Sequence, residues 1–207
     1  TLTVFHSDNG GTRDRMFVGE GAVSGDLPPS NAPYREGKGT VYEGGTRVVG
    51  LANWPGRIQP GEAVGIMHVV DMLPTLAKLA GATLDQTKPL DGRDVWPALA
   101  LAQAGRDAVV YNVDPTQGAV REGKWKLVWH VLLPPKAELF DLEADPSETT
   151  DLSARHPEKV AALQAKVVDL ARTMAPPLFY ASALKSALSA PLSTPGAALY
   201  EMGLEND

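Results

Sequence analysis

Four short apolar runs in the second half of the chain constrain its fold most strongly. They cover residues 108–113, 118–121, 124–130 and 137–142, and turn-forming residues separate them. Runs of this length and spacing predict an antiparallel meander. A helix is predicted to begin at Pro157, because apolar residues then recur at spacings of three and four. Such a stripe is typical of a helix that covers one face of a sheet.

The first half of the chain carries longer and more varied elements. Leu2, Val4 and Phe5 predict a short buried strand, and residues 48–54 predict a second one. Between them, residues 11–35 are rich in Gly, Pro, Ser and charged residues and predict a long surface loop. Residues 71–80 predict a helix with Asp71 as its N-cap, and Gly81 follows as a stop signal. Residues 100–106 form the predicted seam between two domains.

Composition excludes several classes of function. The 207 residues suffice for one large domain or for one medium and one small domain. With 19 basic and 25 acidic residues, the net charge of −6 argues against a general nucleic-acid binder. The absence of cysteine excludes disulfides, thiolate zinc sites and a cysteine nucleophile within this sequence. No apolar run is long enough to span a membrane.

A turn with hard oxygen donors follows the first predicted strand. Asp8 and Asn9 stand side by side in the stretch Ser-Asp-Asn-Gly. Open α/β sheets place their sites just past the carboxyl ends of strands. Carboxylate and carboxamide oxygens are the ligands that Ca²⁺ and Mg²⁺ prefer. On these residues alone a capped turn is the favoured interpretation, and a metal site is the alternative.

Six blocks of sequence together resemble one known family. In chain order they read SDNGG, NAPYREGKGTVYEGGTRVVGLANWPGRI, HVVDMLPTLAKLAG, LDGRDVW, AVREGKWKLV and ELFDLEADPSETTDL. This succession resembles the carboxyl-terminal half of the type I sulfatases, and within them the arylsulfatase B (N-acetylgalactosamine-4-sulfatase) branch.

The resemblance implies an α/β fold of the alkaline-phosphatase superfamily. Residues 1–100 would form the carboxyl-terminal portion of the large mixed-sheet domain. Residues 101–174 would form a small α+β domain with a four-stranded antiparallel sheet and one packed helix. Residues 175–207 would form an extended tail.

The resemblance also implies roles for individual residues. Sulfatases of this family hydrolyse sulfate esters, of aryl compounds or sugars, with a formylglycine nucleophile and a Ca²⁺ ion. Asp8 and Asn9 would be two of the ligands of Ca²⁺, or of Mg²⁺ in its place. Lys38 would contact the sulfate. His68 would face the substrate pocket, and capping of the following helix is its structural alternative.

One departure from the family pattern limits what this chain does alone. The motif Cys/Ser-x-Pro-x-Arg, from which formylglycine is made, does not occur in the sequence. We therefore expect a missing amino-terminal half of the same protein to supply the nucleophile and most metal ligands. The chain alone is expected to be inactive, with an open apolar face and an unpaired sheet edge that this partner covers. A homo-oligomer stays open, and the family's habit suggests a periplasmic or secreted protein.

Two alternative functions stay open. The first is a phosphonate or phosphate ester hydrolase of the same superfamily. Its two-zinc members tend to have Asp-His-Gly where this chain has Asp8-Asn9-Gly10, and the carboxamide oxygen of Asn9 suits Ca²⁺ or Mg²⁺ better than zinc. The second alternative is a non-catalytic descendant that binds a sulfated or carboxylated glycan. The natural ester cannot be read from the sequence, because loops such as residues 11–35 select the substrate.

Overall fold

A computed structural model describes residues 1–12, 30–85, 87–101, 103–114, 116–131 and 134–172. The chain divides into two compact units, Thr1–Val167 and Val168–Asp207, and of the second only residues 168–172 are described. Most of the predicted loop at residues 11–35 and the predicted tail at residues 175–207 lie outside the described residues. No described helix is both long and apolar enough to cross a membrane.

Eleven elements follow one another along the described chain, one of them a 3₁₀ turn. They are β1 (Thr3–His6), α1 (Glu43–Thr46), β2 (Gly50–Asn53), the 3₁₀ turn (Val69–Asp71), α2 (Met72–Leu79), α3 (Trp96–Leu101), β3 (Ala108–Asp114), β4 (Gln117–Glu122), β5 (Trp125–His130), β6 (Lys136–Asp141) and α4 (Pro157–Ala171).

The predicted meander is confirmed. The strands β3 to β6 form one antiparallel sheet in sequence order. In its register, Val120 of β4 faces Leu127 of β5, and Leu127 faces Leu139 of β6. These three side chains pack with the fully buried Leu163 of α4. The helix therefore covers one face of the sheet, as its apolar stripe predicts.

The opposite face of the sheet is covered by the segment that leads into α1. Val41 and Tyr42 pack with Ala119, Val128 and Phe140, which alternate with the residues that face α4. Because successive side chains of a strand point to opposite faces, β4, β5 and β6 each contribute to both cores. The small sheet thus lies between α4 and the residues around position 42.

The first two strands are paired but exposed. β1 and β2 form a two-stranded antiparallel sheet with Phe5 facing Leu51 in the register. The side chains of Phe5 and Leu51 are 59% and 63% exposed. The prediction that these strands are buried is therefore wrong for the described chain. The reason is that this sheet has no third strand among the described residues, so its apolar side chains stay in contact with solvent.

A buried carboxylate organises the start of α2. Asp71 is fully buried, and it accepts hydrogen bonds from the backbone N–H groups of His68 (2.9 Å) and Arg93 (3.0 Å). It also pairs with the guanidinium of Arg106. Gly81, at φ +71°, follows the helix in the left-handed conformation that favours glycine. The structure thus places the predicted helix at Met72–Leu79 with Asp71 at its N-cap position, as predicted, but the Asp71 side chain caps the preceding 3₁₀ turn and makes no capping bond to α2.

Candidate active-site corner

The turn after β1 presents two oxygen-bearing side chains. Asp8 is exposed, and its Oδ1 accepts a hydrogen bond from the Asn9 backbone N–H at 3.1 Å. Asn9 is half-buried, and its carboxamide nitrogen donates to the Gly10 carbonyl at 3.0 Å. This bond directs the carboxamide nitrogen of Asn9 at the Gly10 carbonyl. We call Asp8, Asn9 and Gly10 the corner.

The corner is held against α1 through Gly10. The Gly10 N–H donates to the Gly45 carbonyl at 3.0 Å. A Cβ atom at position 10 would lie 1.7 Å from the Gly44 carbonyl oxygen, which no side chain can tolerate. Glycine is therefore required here by the close approach of two backbones.

The Lys38 loop reaches the corner through its backbone. The Lys38 N–H donates to the Gly11 carbonyl at 3.2 Å, and the Lys38 side chain is half-buried. The structure therefore brings the Lys38 segment to Gly11, which lies two residues after Asn9. That the Lys38 ammonium and the Asp8 and Asn9 oxygens converge on one ligand stays a prediction.

Asn31 joins the same two segments and was not singled out from the sequence. Its Oδ1 accepts from the Gly11 N–H at 2.9 Å. Its Nδ2 donates to the Gly11 carbonyl at 2.8 Å and to the Glu36 carbonyl at 2.9 Å. The signal in the sequence was an asparagine at the start of the Asn-Ala-Pro-Tyr-Arg block, and side chains of this type bond readily to backbone.

An open cavity adjoins the corner. Its volume is ≈ 340 Å³, and Asn9, Asn31, Tyr34 and Arg47 are among the residues that line it. A larger cavity of ≈ 940 Å³ is lined by residues such as Arg35, Lys136 and Glu138, and it includes none of the predicted site residues. Of these two cavities the smaller one adjoins the corner, and of the predicted site residues it is lined by Asn9 and not by Asp8, Lys38 or His68.

Glu43 and Arg47 form an ion pair that belongs to a larger cluster. The Arg47 guanidinium lies 3.5 Å from Glu43 Oε2. The other oxygen, Oε1, lies 2.9 Å from the Nζ atom of Lys126, which is fully buried in β5. Glu43 itself is only 2% exposed, so its carboxylate is neutralised inside the protein rather than in solvent.

Glu148 completes this buried cluster. Its Oε1 lies 2.9 Å from Lys126 Nζ, and its Oε2 accepts from the Glu43 backbone N–H at 2.6 Å. Its backbone has φ +52°, a conformation that non-glycine residues rarely adopt. Burial raises the pKa of the Glu148 carboxyl above its ordinary value, although Lys126 acts in the opposite direction. Lys126 thus serves two carboxylates at once.

His68 caps the 3₁₀ turn. Its Nδ1 accepts from the Val70 N–H at 3.3 Å, and its own backbone N–H donates to Asp71. Burial and the Arg106 guanidinium lower the pKa of the His68 imidazole below its ordinary value. The capping role that the sequence left as an alternative is therefore observed, and a role of His68 in the substrate pocket stays a prediction.

The donor set of the corner suits a hard cation but is small. Asp8 and Asn9 contribute two oxygen ligands, whereas Ca²⁺ takes six to eight. Within the described ranges, no group of three or more His, Asp or Glu side chains is arranged to hold a metal ion. The two predicted ligands thus fit a calcium site in their chemistry and would need further ligands to complete it.

Comparisons with known proteins agree with this assembly of motifs. Residues 37–173 match the family model described as N-sulphoglucosamine sulphohydrolase, C-terminal. Arylsulfatase A of Homo sapiens is 39% identical over 165 residues, which cover 76% of this chain and 30% of that protein. An N-acetylgalactosamine-6-O-sulfatase of Bacteroides thetaiotaomicron is 28% identical over 182 residues, which cover 79% of this chain and 35% of that protein.

Solved structures give the same result. The crystal structure of Ps i-CgsB shares 27% sequence identity and a TM-score of 0.69, and the match covers 82% of this chain and 36% of that one. This chain therefore spans about a third of the length of the relatives that it matches. Because the relatives come from several branches, placement in the arylsulfatase B branch stays a prediction. The chain belongs to the type I sulfatase family and corresponds to its C-terminal region.

Proposed function

We propose that this chain is part of an enzyme that hydrolyses sulfate esters through a formylglycine nucleophile and a bound Ca²⁺ ion. The observation that carries the proposal is the junction of Asn9 and Lys38 segments at Gly11, within a chain that belongs to the sulfatases. In this proposal a carboxylate, a carboxamide and an ammonium group converge on one ligand, and together they would meet the needs of a sulfuryl group and a divalent cation.

In this proposal, Asp8 and Asn9 hold the cation. A bound divalent cation would withdraw electron density from the sulfuryl oxygens and favour the ionised nucleophile. Asp8 contributes the only formal negative charge of the pair. Asn9 contributes a neutral oxygen, which limits the negative charge of the site and so favours entry of an anionic substrate. Mg²⁺ shares this preference for oxygen ligands and is the second candidate.

Lys38 is proposed to bind the sulfate. An ammonium group acts as a compact point charge that can follow the oxygen on which charge develops. The bond from the Lys38 N–H to Gly11 fixes the start of this side chain close to the corner. His68 is proposed as a further pocket residue, in which a lowered pKa would keep the imidazole neutral near pH 7.

The nucleophile and the remaining metal ligands are proposed to come from an amino-terminal half of the same protein. The sequence given contains no cysteine and no Ser-x-Pro-x-Arg motif. The exposed apolar side chains of β1 and β2, including Phe5 and Leu51, support a partner on this sheet. The chain alone is therefore proposed to be inactive.

A sugar sulfate is the proposed substrate class. The N-acetylgalactosamine-6-O-sulfatase among the relatives and the structure of Ps i-CgsB in complex with k-i-k-neocarrahexaose support this choice. Aryl sulfates would then serve as convenient reporter substrates, and an arylsulfatase among the relatives supports their use.

The test is hydrolysis of 4-nitrophenyl sulfate by the complete protein, with Lys38→Met as the variant. Loss of one charge-stabilising donor is expected to lower kcat/KM by about 100-fold or more. Lys88→Met is the matched control, because Lys88 is exposed and the same charge is removed there. Equal activity of both variants would contradict the role of Lys38, and a strong preference of the wild type for 4-nitrophenyl phosphate or a phosphonate ester would contradict sulfatase activity.

A further inference from the structure

The buried Lys126 cluster is connected to the corner through α1. Glu43 is the first residue of α1, and Gly45 of the same four-residue helix accepts the hydrogen bond of Gly10. The first residue of this short helix is therefore bound to the small sheet through Lys126, and its third residue is bound to the corner through Gly10. The connection from Lys126 to Gly10 runs through one ion pair, one helical turn and one hydrogen bond.

The cluster contains several charged side chains that are buried. Two carboxylates, Glu43 and Glu148, are 2% and 0% exposed, and Lys126 is 0% exposed. Arg47 and Arg121 add two further cations, 3.5 Å and 3.7 Å from Glu43 Oε2. The Tyr111 ring centroid lies 5.3 Å from Lys126 Nζ. A buried ammonium is tolerated only where charged partners offset its desolvation, and Glu43 and Glu148 each place a carboxylate oxygen 2.9 Å from it.

The helix that Lys126 supports has little tendency to form alone. The sequence of α1 is Glu-Gly-Gly-Thr, and its N-cap residue Tyr42 makes no side-chain capping bond. Glycine lowers helix propensity by about 1 kcal/mol relative to alanine. Instead, the Glu148 carboxylate accepts the N–H of Glu43, one of the donors at a helix start that have no partner within the helix.

We infer that Lys126 is a positioning residue for the catalytic corner: by seating Glu43 and Glu148 it holds α1, and α1 holds Gly10 and with it Asp8 and Asn9. The inference rests on the proposed function of the corner. It deepens that function by assigning to the small sheet the task of fixing the metal-binding turn.

The test compares Lys126→Met with Lys124→Met in the complete protein. Met keeps an unbranched side chain as far as the ε position and removes the charged amino group. Lys124 is the matched control, because it lies two residues from Lys126 and also pairs with a carboxylate. Its Nζ atom lies 2.6 Å from Asp141, but its side chain is 41% exposed. The first measurement is amide hydrogen exchange, which reports the Gly10 N–H directly; the second is a Ca²⁺ titration well below the melting temperature of every variant.

Lys126→Met is expected to speed exchange at Gly10 by about tenfold or more through local opening, while the amides of Val120 and Leu127 change by less than about twofold. Apparent Ca²⁺ affinity is expected to fall by about 10–100-fold, in the range found when a group that orients a metal ligand is removed. Lys124→Met is expected to change neither quantity. Unchanged protection of Gly10 in folded Lys126→Met would overturn the inference, as would an equal increase of exchange throughout the sheet.

A second variant covers the case in which Lys126→Met does not fold. Glu148→Gln keeps an acceptor for the Glu43 N–H and removes one of the two negative charges around Lys126. It is expected to speed exchange at Gly10 less than Lys126→Met would, and unchanged exchange there overturns the inference. If the wild-type protein binds no Ca²⁺, the proposed function fails, whereas the exchange measurement still decides whether position 126 controls Gly10.

Discussion

Replacement of the buried Asp71 by alanine is expected to destabilise the protein strongly. Three donors converge on this carboxylate: the backbone N–H groups of His68 and Arg93 and the guanidinium of Arg106. The side chain has no exposed surface, so water cannot replace the lost acceptor without rearrangement. The change therefore leaves two backbone donors and one cation without their partner.

The magnitude follows from these three bonds. A buried donor left unsatisfied costs about 1–3 kcal/mol, and His68 and Arg93 are only partly buried or exposed, which places each near the lower limit. Arg106 keeps its bonds to the carbonyls of Ala108 and Asp91, so its guanidinium loses only part of its hydrogen bonding. Together the terms predict a decrease of about 3–5 kcal/mol in the free energy of unfolding, as found when buried ion pairs are broken.

The assay is urea denaturation of wild type, Asp71→Ala, Asp71→Asn and Asp85→Ala under identical conditions. Asn keeps one acceptor oxygen, and we expect it to cost about half as much as Ala. Asp85 is exposed, and its replacement is expected to change stability by less than about 0.5 kcal/mol. A loss below about 1 kcal/mol for Asp71→Ala, with an unchanged dependence on urea, would refute the reasoning.

Two further predictions concern the contact between the small sheet and α4. Leu163→Ala is expected to lower the free energy of unfolding by about 2–5 kcal/mol, because this side chain is fully buried, and thermal denaturation beside the exposed control Val168→Ala would measure it. Bonds from Lys159 and Lys166 lower the pKa of Glu122 to about 2, so the stabilisation by this carboxylate is present above its ordinary pKa of 4.5 and is lost as pH falls from there toward 2. The advantage of wild type over Glu122→Gln should accordingly shrink over that range, and an advantage that grows on acidification would contradict the assignment.

The small sheet was predictable because its signals are local. Each strand is an apolar run of four to seven residues with a turn on either side, and sequential antiparallel strands need only short connections. The stripe of α4 likewise lies within one segment. Trp125 and Trp129, four residues apart, pack on the same core as Leu163 although both keep some exposure. The apolar pattern predicts the observed strand pairing here because each strand pairs with the next one along the chain.

Burial of β1 and β2 was not predictable in the same way. An apolar run such as Leu-Thr-Val-Phe indicates a strand, but burial depends on which other elements pack against it. Among the described residues the strand pairs with β2 alone, so the same side chains that predict a core lie exposed. The sequence predicts the local structure of this segment and leaves its neighbours undetermined.

Some residues in and around the corner could be predicted from the sequence, and others could not. Asp8 and Asn9 could be singled out because donor chemistry at a strand end is visible in the residue types themselves. Asn31 could not, since its value lies in bonds to Gly11, twenty residues away. Lys126 offered one local signal, a charged residue in an apolar strand, but its partner Glu43 is 83 residues distant in sequence.

The helix α1 explains why these long-range contacts matter for the site. A Glu-Gly-Gly-Thr segment has low helix propensity, and its helical form is consistent only with stabilisation from outside the segment. The two glycines cannot be exchanged for better helix formers, because a Cβ at position 44 would lie 2.3 Å from the Arg35 carbonyl oxygen and one at position 45 would lie 2.4 Å from that of Thr40. Close backbone packing at the corner thus removes local helix stability, and the buried charges on the small sheet offset the loss. On this reasoning the small sheet and the corner are energetically coupled, because the sheet carries the Lys126 charge on which the conformation of α1 depends.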